Sequence, residues 1–177
     1  MRWIPESQLH FTLKFLGEIE EERVTAAMAA TAAAAVVAAA SVAVKALERG
    51  MRPAGGFRLA LEGLGAFPPR GPARVLWAGC GEGAEALTAV GAAVEEAFVA
   101  EGFPREERPF SPHLTLARVK DPDAGRRLSR ALASLPAEPF GAVSVSCLVL
   151  YQSERTPRGA EYAELLRVAI ESPAALQ

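Results

Sequence analysis

Polar and apolar side chains alternate with a period of two along Leu9 to Leu16, where His10, Thr12 and Lys14 are interleaved with Phe11, Leu13 and Phe15. Alternate side chains of a strand share a face. The pattern predicts a first strand over Leu9–Leu16. Its polar face carries His10, Thr12 and Lys14. Its core face carries Phe11, Leu13 and Phe15, with Leu9 at the edge. Phe57 to Leu64 repeats the alternation, with Phe57, Leu59 and Leu61 set against Arg58, Ala60 and Glu62. After the turn Pro68-Pro69-Arg70-Gly71-Pro72, a run from Arg74 to Cys80 predicts an antiparallel partner. Ser111-Pro112 leads into a further strand that ends near Val119. Phe140–Tyr151 and Tyr162–Ile170 close the chain as two strands around the polar, turn-rich segment Gln152–Gly159.

Helical patterns fall between these runs. Gly17 and the acidic residues Glu18, Glu20, Glu21 and Glu22 open a helix, since negative charge suits its N-terminal dipole. Val24–Val44 then continues without a charged residue and is mostly alanine, the best helix former. A length of about 20 residues also fits a membrane span, but few of these residues are strongly apolar. The reading adopted is a long helix packed on a sheet, closed by Lys45, Glu48 and Arg49 and broken at Pro53-Ala54-Gly55-Gly56. A helix from about Ala84 to Glu101 places Leu87, Val90, Val94, Ala97 and Phe98 on one face, and Gly102 ends it. Asp121-Pro122-Asp123 caps another that runs through about Leu135. The order β-α-β-β-α-β-α-β-β favours an α+β class over a doubly wound sheet.

One phrase occurs twice. His10-Phe11-Thr12-Leu13 and His113-Leu114-Thr115-Leu116 both read H-x-T-L, and they hold the only 2 histidines of the chain. Each offers one imidazole and one hydroxyl on one face, backed by apolar residues. Two such strands brought together make a site of two histidines and two hydroxyls. A lone histidine on a strand is more often a packed core residue; its repetition in the same local frame reverses that weighting.

Composition narrows the setting. The 177 residues suit one domain with a sizeable core. Half are hydrophobic and 23% are charged, as in soluble globular chains. The formal net charge of −2 argues against a broad basic surface for long nucleic acid, yet leaves room for a small anionic group held by a few donors. Cys80 and Cys147 are isolated, with no metal-ligand or disulfide framework around them. Reduced thiols in a cytoplasmic protein are expected. No basic start followed by an apolar run marks a secretory signal.

The repeated phrase and its neighbours resemble the two-histidine (2H) phosphoesterases, and among them the RNA 2′,3′-cyclic phosphodiesterases, also called 2′-5′ RNA ligases. The words that carry the resemblance begin with Arg2-Trp3-Ile4-Pro5-Glu6 and Lys14-Phe15-Leu16-Gly17-Glu18. Further matches are Leu64-Gly65-Ala66-Phe67-Pro68, Val75-Leu76-Trp77, Phe110 to Arg118 and Leu150-Tyr151-Gln152-Ser153. They run to about Ala169. The resemblance implies a single bilobal domain over 1–177, its two pseudo-symmetric α/β lobes bearing antiparallel sheets on either side of a V-shaped cleft. The strand and helix that family members carry before the Arg-Trp-Ile-Pro-Glu word are expected to be absent here, and the longer alanine-rich segment could fill their space.

The resemblance also implies a chemistry. A cyclic phosphodiester opens when water attacks phosphorus and a ribose oxygen leaves. The step calls for a base, an acid and donors to the phosphoryl oxygens. Histidine populates both protonation states near neutral pH, so two can divide the work without a metal or other cofactor. His10 is expected as general acid toward the 3′ oxygen and His113 as general base. Thr12 and Thr115 would donate to non-bridging oxygens. Strict alternation turns Arg118 away from His113, as a surface charge. The family motif H-x-T-x-x-R instead implies a phosphate-binding arginine, and so a bend or bulge before it. Lys14 shares the face of His10 and could meet an anionic substrate, or be a solvated edge lysine. Phe67, Trp77 and Tyr151 could stack on a base, although core packing is the commoner role. The expected partners are RNA ends or small cyclic nucleotides, with no membrane and no protein partner. Reversible 2′-5′ ligation could accompany hydrolysis. The competing expectations are a phosphodiesterase for another cyclic nucleotide, such as a 1″,2″-cyclic phosphate, and an RNA-end-binding protein without turnover.

Overall fold

The computed structural model describes residues 1–17, 56–156 and 159–170. The expected acidic-start helix and the alanine-rich Val24–Val44 lie outside the described residues. Among the described residues there are seven strands and two α-helices: β1 (Arg2–Trp3), β2 (Phe57–Phe67), β3 (Val75–Cys80), α1 (Ala84–Ala100), β4 (Leu114–Arg118), α2 (Pro122–Leu132), β5 (Pro139–Val145), β6 (Cys147–Thr156) and β7 (Gly159–Ala169). A short 3-10 turn spans Glu6–Gln8. Five strands form one sheet in the order β1-β4-β3-β2-β5, and β6 and β7 form a second, two-stranded sheet. The pairs β1/β4, β3/β4, β2/β3 and β6/β7 are all antiparallel. The fold is α+β. No helix among the described residues is long and apolar enough to cross a membrane.

The chain divides into two compact units. Unit 1 comprises Met1–Thr12, Arg58–Ala84 and Ser111–Val143; unit 2 comprises Leu13–Phe57, Glu85–Phe110 and Ser144–Gln177. In unit 1 the buried face of the sheet carries Leu59, Leu76, Ala78, Leu114 and Ala117. Leu59 is fully covered, which contributes about 1.5–3 kcal/mol. Helix α2 starts on the Asp121 carboxylate, which accepts from the Asp123 N–H at 3.0 Å and the Ala124 N–H at 3.3 Å. Ser129 ties the helix to the β2–β3 loop, donating to the Gly71 carbonyl at 2.9 Å and accepting from the Ala73 N–H at 3.2 Å. In unit 2 the apolar face of α1 (Ala86, Val90, Ala93, Val94, Phe98) packs with Leu148 of β6 and with Ile170, and Leu13, Leu16, Leu166 and Val168 close around them.

Four sequence expectations change. Leu9–Leu16 is not a strand: the segment makes no ladder, and the outermost strand of that sheet edge is β1. Alternation reports a two-faced extended chain, but a strand also needs a partner backbone. The alternation itself fails after Thr12, where the chain passes from unit 1 to unit 2. There Phe15 is 66% exposed, while the Lys14 side chain is only 3% exposed. Phe140–Tyr151 is two strands in different sheets, parted at Ser146, whose carbonyl accepts from the Ile170 N–H. The polar segment Gln152–Gly159 holds hairpin strand out to Thr156, and β7 starts at Gly159 rather than Tyr162. Gln152, Ser153 and Glu154 are exposed while their backbones remain laddered. Finally, α2 stops at Leu132, short of Leu135.

Candidate active site

His10, Thr12, His113, Thr115 and Arg118 all belong to unit 1. The local topology explains why. Strand β1 runs antiparallel to β4, with Arg2 opposite Arg118 and Trp3 opposite Ala117, and the Ile4 N–H donates to the Leu116 carbonyl at 2.8 Å. The chain therefore travels toward the end of β4 where His113 stands. It then turns through Glu6–Gln8, held by the Gln8 N–H on the Pro5 carbonyl at 2.9 Å, and delivers His10 just beyond.

The two imidazoles are held alike. Nδ1 of His10 lies 2.8 Å from the Gln8 carbonyl, and Nδ1 of His113 lies 2.7 Å from the Ser111 carbonyl. In both, the acceptor is two residues upstream. A carbonyl only accepts, so each Nδ1 carries the proton and donates. Each Nε2 is then the atom left to exchange a proton, as a lone pair in the neutral ring or as N–H in the cation. Both rings are half-buried. These upstream carbonyls escaped the sequence reading, because a backbone acceptor has no residue signature; the only trace was that both histidines follow a turn-forming segment.

His113 stands among aromatic rings. Its centroid is 5.1 Å from that of Phe67, edge to face, and 6.2 Å from that of Trp77; Phe67 and Trp77 are themselves 5.5 Å apart. The Trp77 indole N–H is buried without a hydrogen-bond partner. Two of the three candidate stacking residues thus wall His113. Tyr151 instead pairs with Tyr162 across the β6–β7 hairpin in unit 2, at 5.9 Å.

A bulge decides where Arg118 points. Trp77 is opposite Thr115 and Leu76 is opposite Ala117, so Leu116 is an extra residue with no partner on β3. Directly paired residues share a face. Val75 and Trp77 lie on one face of β3, hence so do their partners Arg118 and Thr115. Leu114 and Ala117 take the opposite, buried face with Ala78 and Leu76. Without the extra residue, Arg118 would face the core.

Lys14 goes elsewhere. Within unit 2 its ammonium donates to the Glu95 carboxylate at 2.7 Å and to the Pro104 carbonyl at 2.9 Å. Burial pushes the Glu95 carboxyl up, but the hydrogen bonds from Lys14 and the Glu106 N–H, with the charges of Lys14 and Arg105, outweigh it and hold the group below its ordinary value.

The sequence model of the 2′-5′ RNA ligase superfamily matches residues 2–157. An RNA 2′,3′-cyclic phosphodiesterase of Aeropyrum pernix is 34% identical over 168 residues, covering 95% of this chain and 85% of that protein. One of the same name from Methanothermobacter thermautotrophicus is 31% identical over 165 residues, covering 93% and 80%. The crystal structure of TT0787 from Thermus thermophilus superposes with a TM-score of 0.64 at 27% identity, covering 97% of this chain and 83% of that one. A match over most of the chain, spanning both H-x-T-L phrases and the arginine that follows the second, makes this protein a member of the 2′-5′ RNA ligase superfamily.

Proposed function

We propose that this chain is an enzyme that hydrolyses RNA 2′,3′-cyclic phosphate ends to 2′-phosphate ends, with two histidines as acid and base. The observation that carries this reading is the matched pair of Nδ1–carbonyl hydrogen bonds, which commits both rings to exchange protons through Nε2. A cyclic phosphodiester requires one proton removed from water and one delivered to the leaving oxygen. His113 takes the first role and His10 the second. Thr12 and Thr115 donate to the non-bridging oxygens. Arg118, brought by the Leu116 bulge to the face of Thr115, binds the phosphate oxygens through charge-assisted hydrogen bonds. Lys14 serves the fold of unit 2 through Glu95. The curated relatives named RNA 2′,3′-cyclic phosphodiesterases lend further support.

Residues 1–177 act as one domain. With a 5′-hydroxyl in place of water as the nucleophile, the same ring opening joins a 2′,3′-cyclic end to a 5′-hydroxyl end through a 2′-5′ bond, the 3′ oxygen again leaving as a hydroxyl. Cys80 and Cys147 are both free thiols, which fits a reducing, cytoplasmic setting. The deciding experiment incubates the protein with a short RNA bearing a 2′,3′-cyclic phosphate and identifies the product end. Conversion to a 2′-phosphate is expected. Binding without turnover would replace the enzyme with an RNA-end-binding protein.

A further inference from the structure

Arg2 stands directly across the ladder from Arg118. Paired residues share a face, so Arg2 lies on the face that carries Arg118, Thr115 and Trp77. Two like charges directly opposite each other destabilise a sheet. Relief would come from a carboxylate, yet neither guanidinium has a hydrogen-bond or ion-pair partner among the described residues. Following the register along β3, the acidic residue that shares this face is Glu62, opposite Gly79. Gly79 lies four residues from Val75, the position opposite Arg118, so Glu62 is about 13 Å away along the strand. Arg2 and Arg118 are both exposed. This uncompensated pair sits two ladder positions, about 7 Å, beyond Thr115.

We infer that Arg2 binds the internucleotide phosphate next to the terminal cyclic phosphate, and so favours RNA ends over single nucleotides. The inference rests on the function proposed above, which assigns Arg118 to the terminal phosphate. A second guanidinium one strand further out meets the next anion along the same chain. Fork-like donation to phosphate oxygens suits arginine better than lysine. The ligand itself then supplies the negative charge that the sheet withholds.

The test compares a nucleoside 2′,3′-cyclic phosphate with a dinucleotide ending in the same group. In the unmodified protein the dinucleotide is expected to have the lower KM, by about tenfold, the scale of one charge-assisted contact. In Arg2→Ala the ratio of the two KM values falls toward one, and Arg2→Lys keeps part of it. Arg58→Ala removes an equal charge, paired at the surface with Glu82, and should retain the ratio. A ratio near one in the unmodified protein, or an undiminished ratio in Arg2→Ala, overturns the inference. Equilibrium binding of the 2′-phosphorylated nucleotide and dinucleotide to the same variants reads the subsite without turnover. Absence of turnover with the binding ratio intact would therefore reject the enzymatic reading and keep Arg2, whereas equal binding of both ligands would reject Arg2.

Discussion

Gly65 and Trp77 face each other across β2 and β3, and the indole lies where a side chain at Gly65 would begin. A methyl group there would fall onto Cζ2 and Cη2 of the ring. Glycine is thus required for close approach, and the approach sets Trp77 beside His113. Gly65→Ala is expected to cost about 1–3 kcal/mol through overpacking and to lower turnover by displacing the ring against His113. Thermal unfolding and a cyclic-phosphate assay check both. In a double-mutant cycle, Trp77→Leu should absorb much of the cost, since the clash disappears with the indole. Strict additivity would show that the ring is not what Gly65 accommodates.

The pair formed by Lys14 and Glu95 predicts an acid-sensitive stability. The Lys14 side chain is 3% exposed and that of Glu95 is 18% exposed. Glu95→Ala would leave an ammonium buried without its counter-charge, at a cost of about 3 kcal/mol, the low end for breaking a buried pair. The carboxyl titrates below its ordinary 4.5 in the folded chain. A depressed folded value means that stability is fully present above the unfolded value and is lost as pH falls through the folded one. Denaturant unfolding of the parent and of Glu95→Gln should therefore differ most near neutral pH and converge in acid below about 4.5. A gap that stayed constant down to acid pH would deny the ion pair its role.

How much of this was readable beforehand depends on what each feature leaves in the chain. The H-x-T-L repeat marked the histidines and threonines, because chemistry fixes residue types. The Asp121 cap and the apolar face of α1 were legible for the same reason: local rules govern them. Lys14 and Phe15 were misplaced because alternation was carried past Thr12, where the chain changes unit and Leu13 and Leu16 take the buried positions. Ser146 gives no sign that Phe140–Tyr151 changes sheet there, since both halves have strand composition. On residues alone, alternation turns Arg118 away from His113, and only the family motif implies the bulge that brings it back. A bulge is a register event between two strands, visible only once Trp77 is paired with Thr115.

Arg118 is expected to act through binding rather than proton transfer. A guanidinium stays charged across the working range and offers paired donors to phosphate. Arg118→Ala should raise KM by tenfold or more, on the order of one charged hydrogen bond, and change kcat less. Arg118→Lys should recover only part of the loss, because a point charge lacks the fork. Loss of kcat at unchanged KM would assign Arg118 to the transition state alone.

The last prediction concerns the division of labour between the histidines. Each ring is fixed through Nδ1, so one Nε2 must enter the reaction protonated and the other bare. That requirement predicts a bell-shaped dependence of kcat/KM on pH, whose limbs belong to the pair rather than to single residues. His10→Ala and His113→Ala should each reduce kcat by about a hundred- to ten-thousandfold, the worth of a positioned acid or base. The double variant should be little worse than the poorer single one, since groups acting in one step are not additive. Because His10 protonates the 3′ oxygen, the phosphate must remain on the 2′ position. Weak turnover in either single variant should therefore still give a 2′-phosphate, as Thr12, Thr115 and Arg118 keep orienting the ring. Chelator should leave all rates unchanged, since proton transfer by imidazole supplies both halves of the step. The decisive measurement is product-end analysis with both single variants and the double, with and without chelator. A 3′-phosphate product would reverse the assignment of the leaving oxygen, and activity lost to chelator but restored by a divalent ion would replace the two-histidine mechanism.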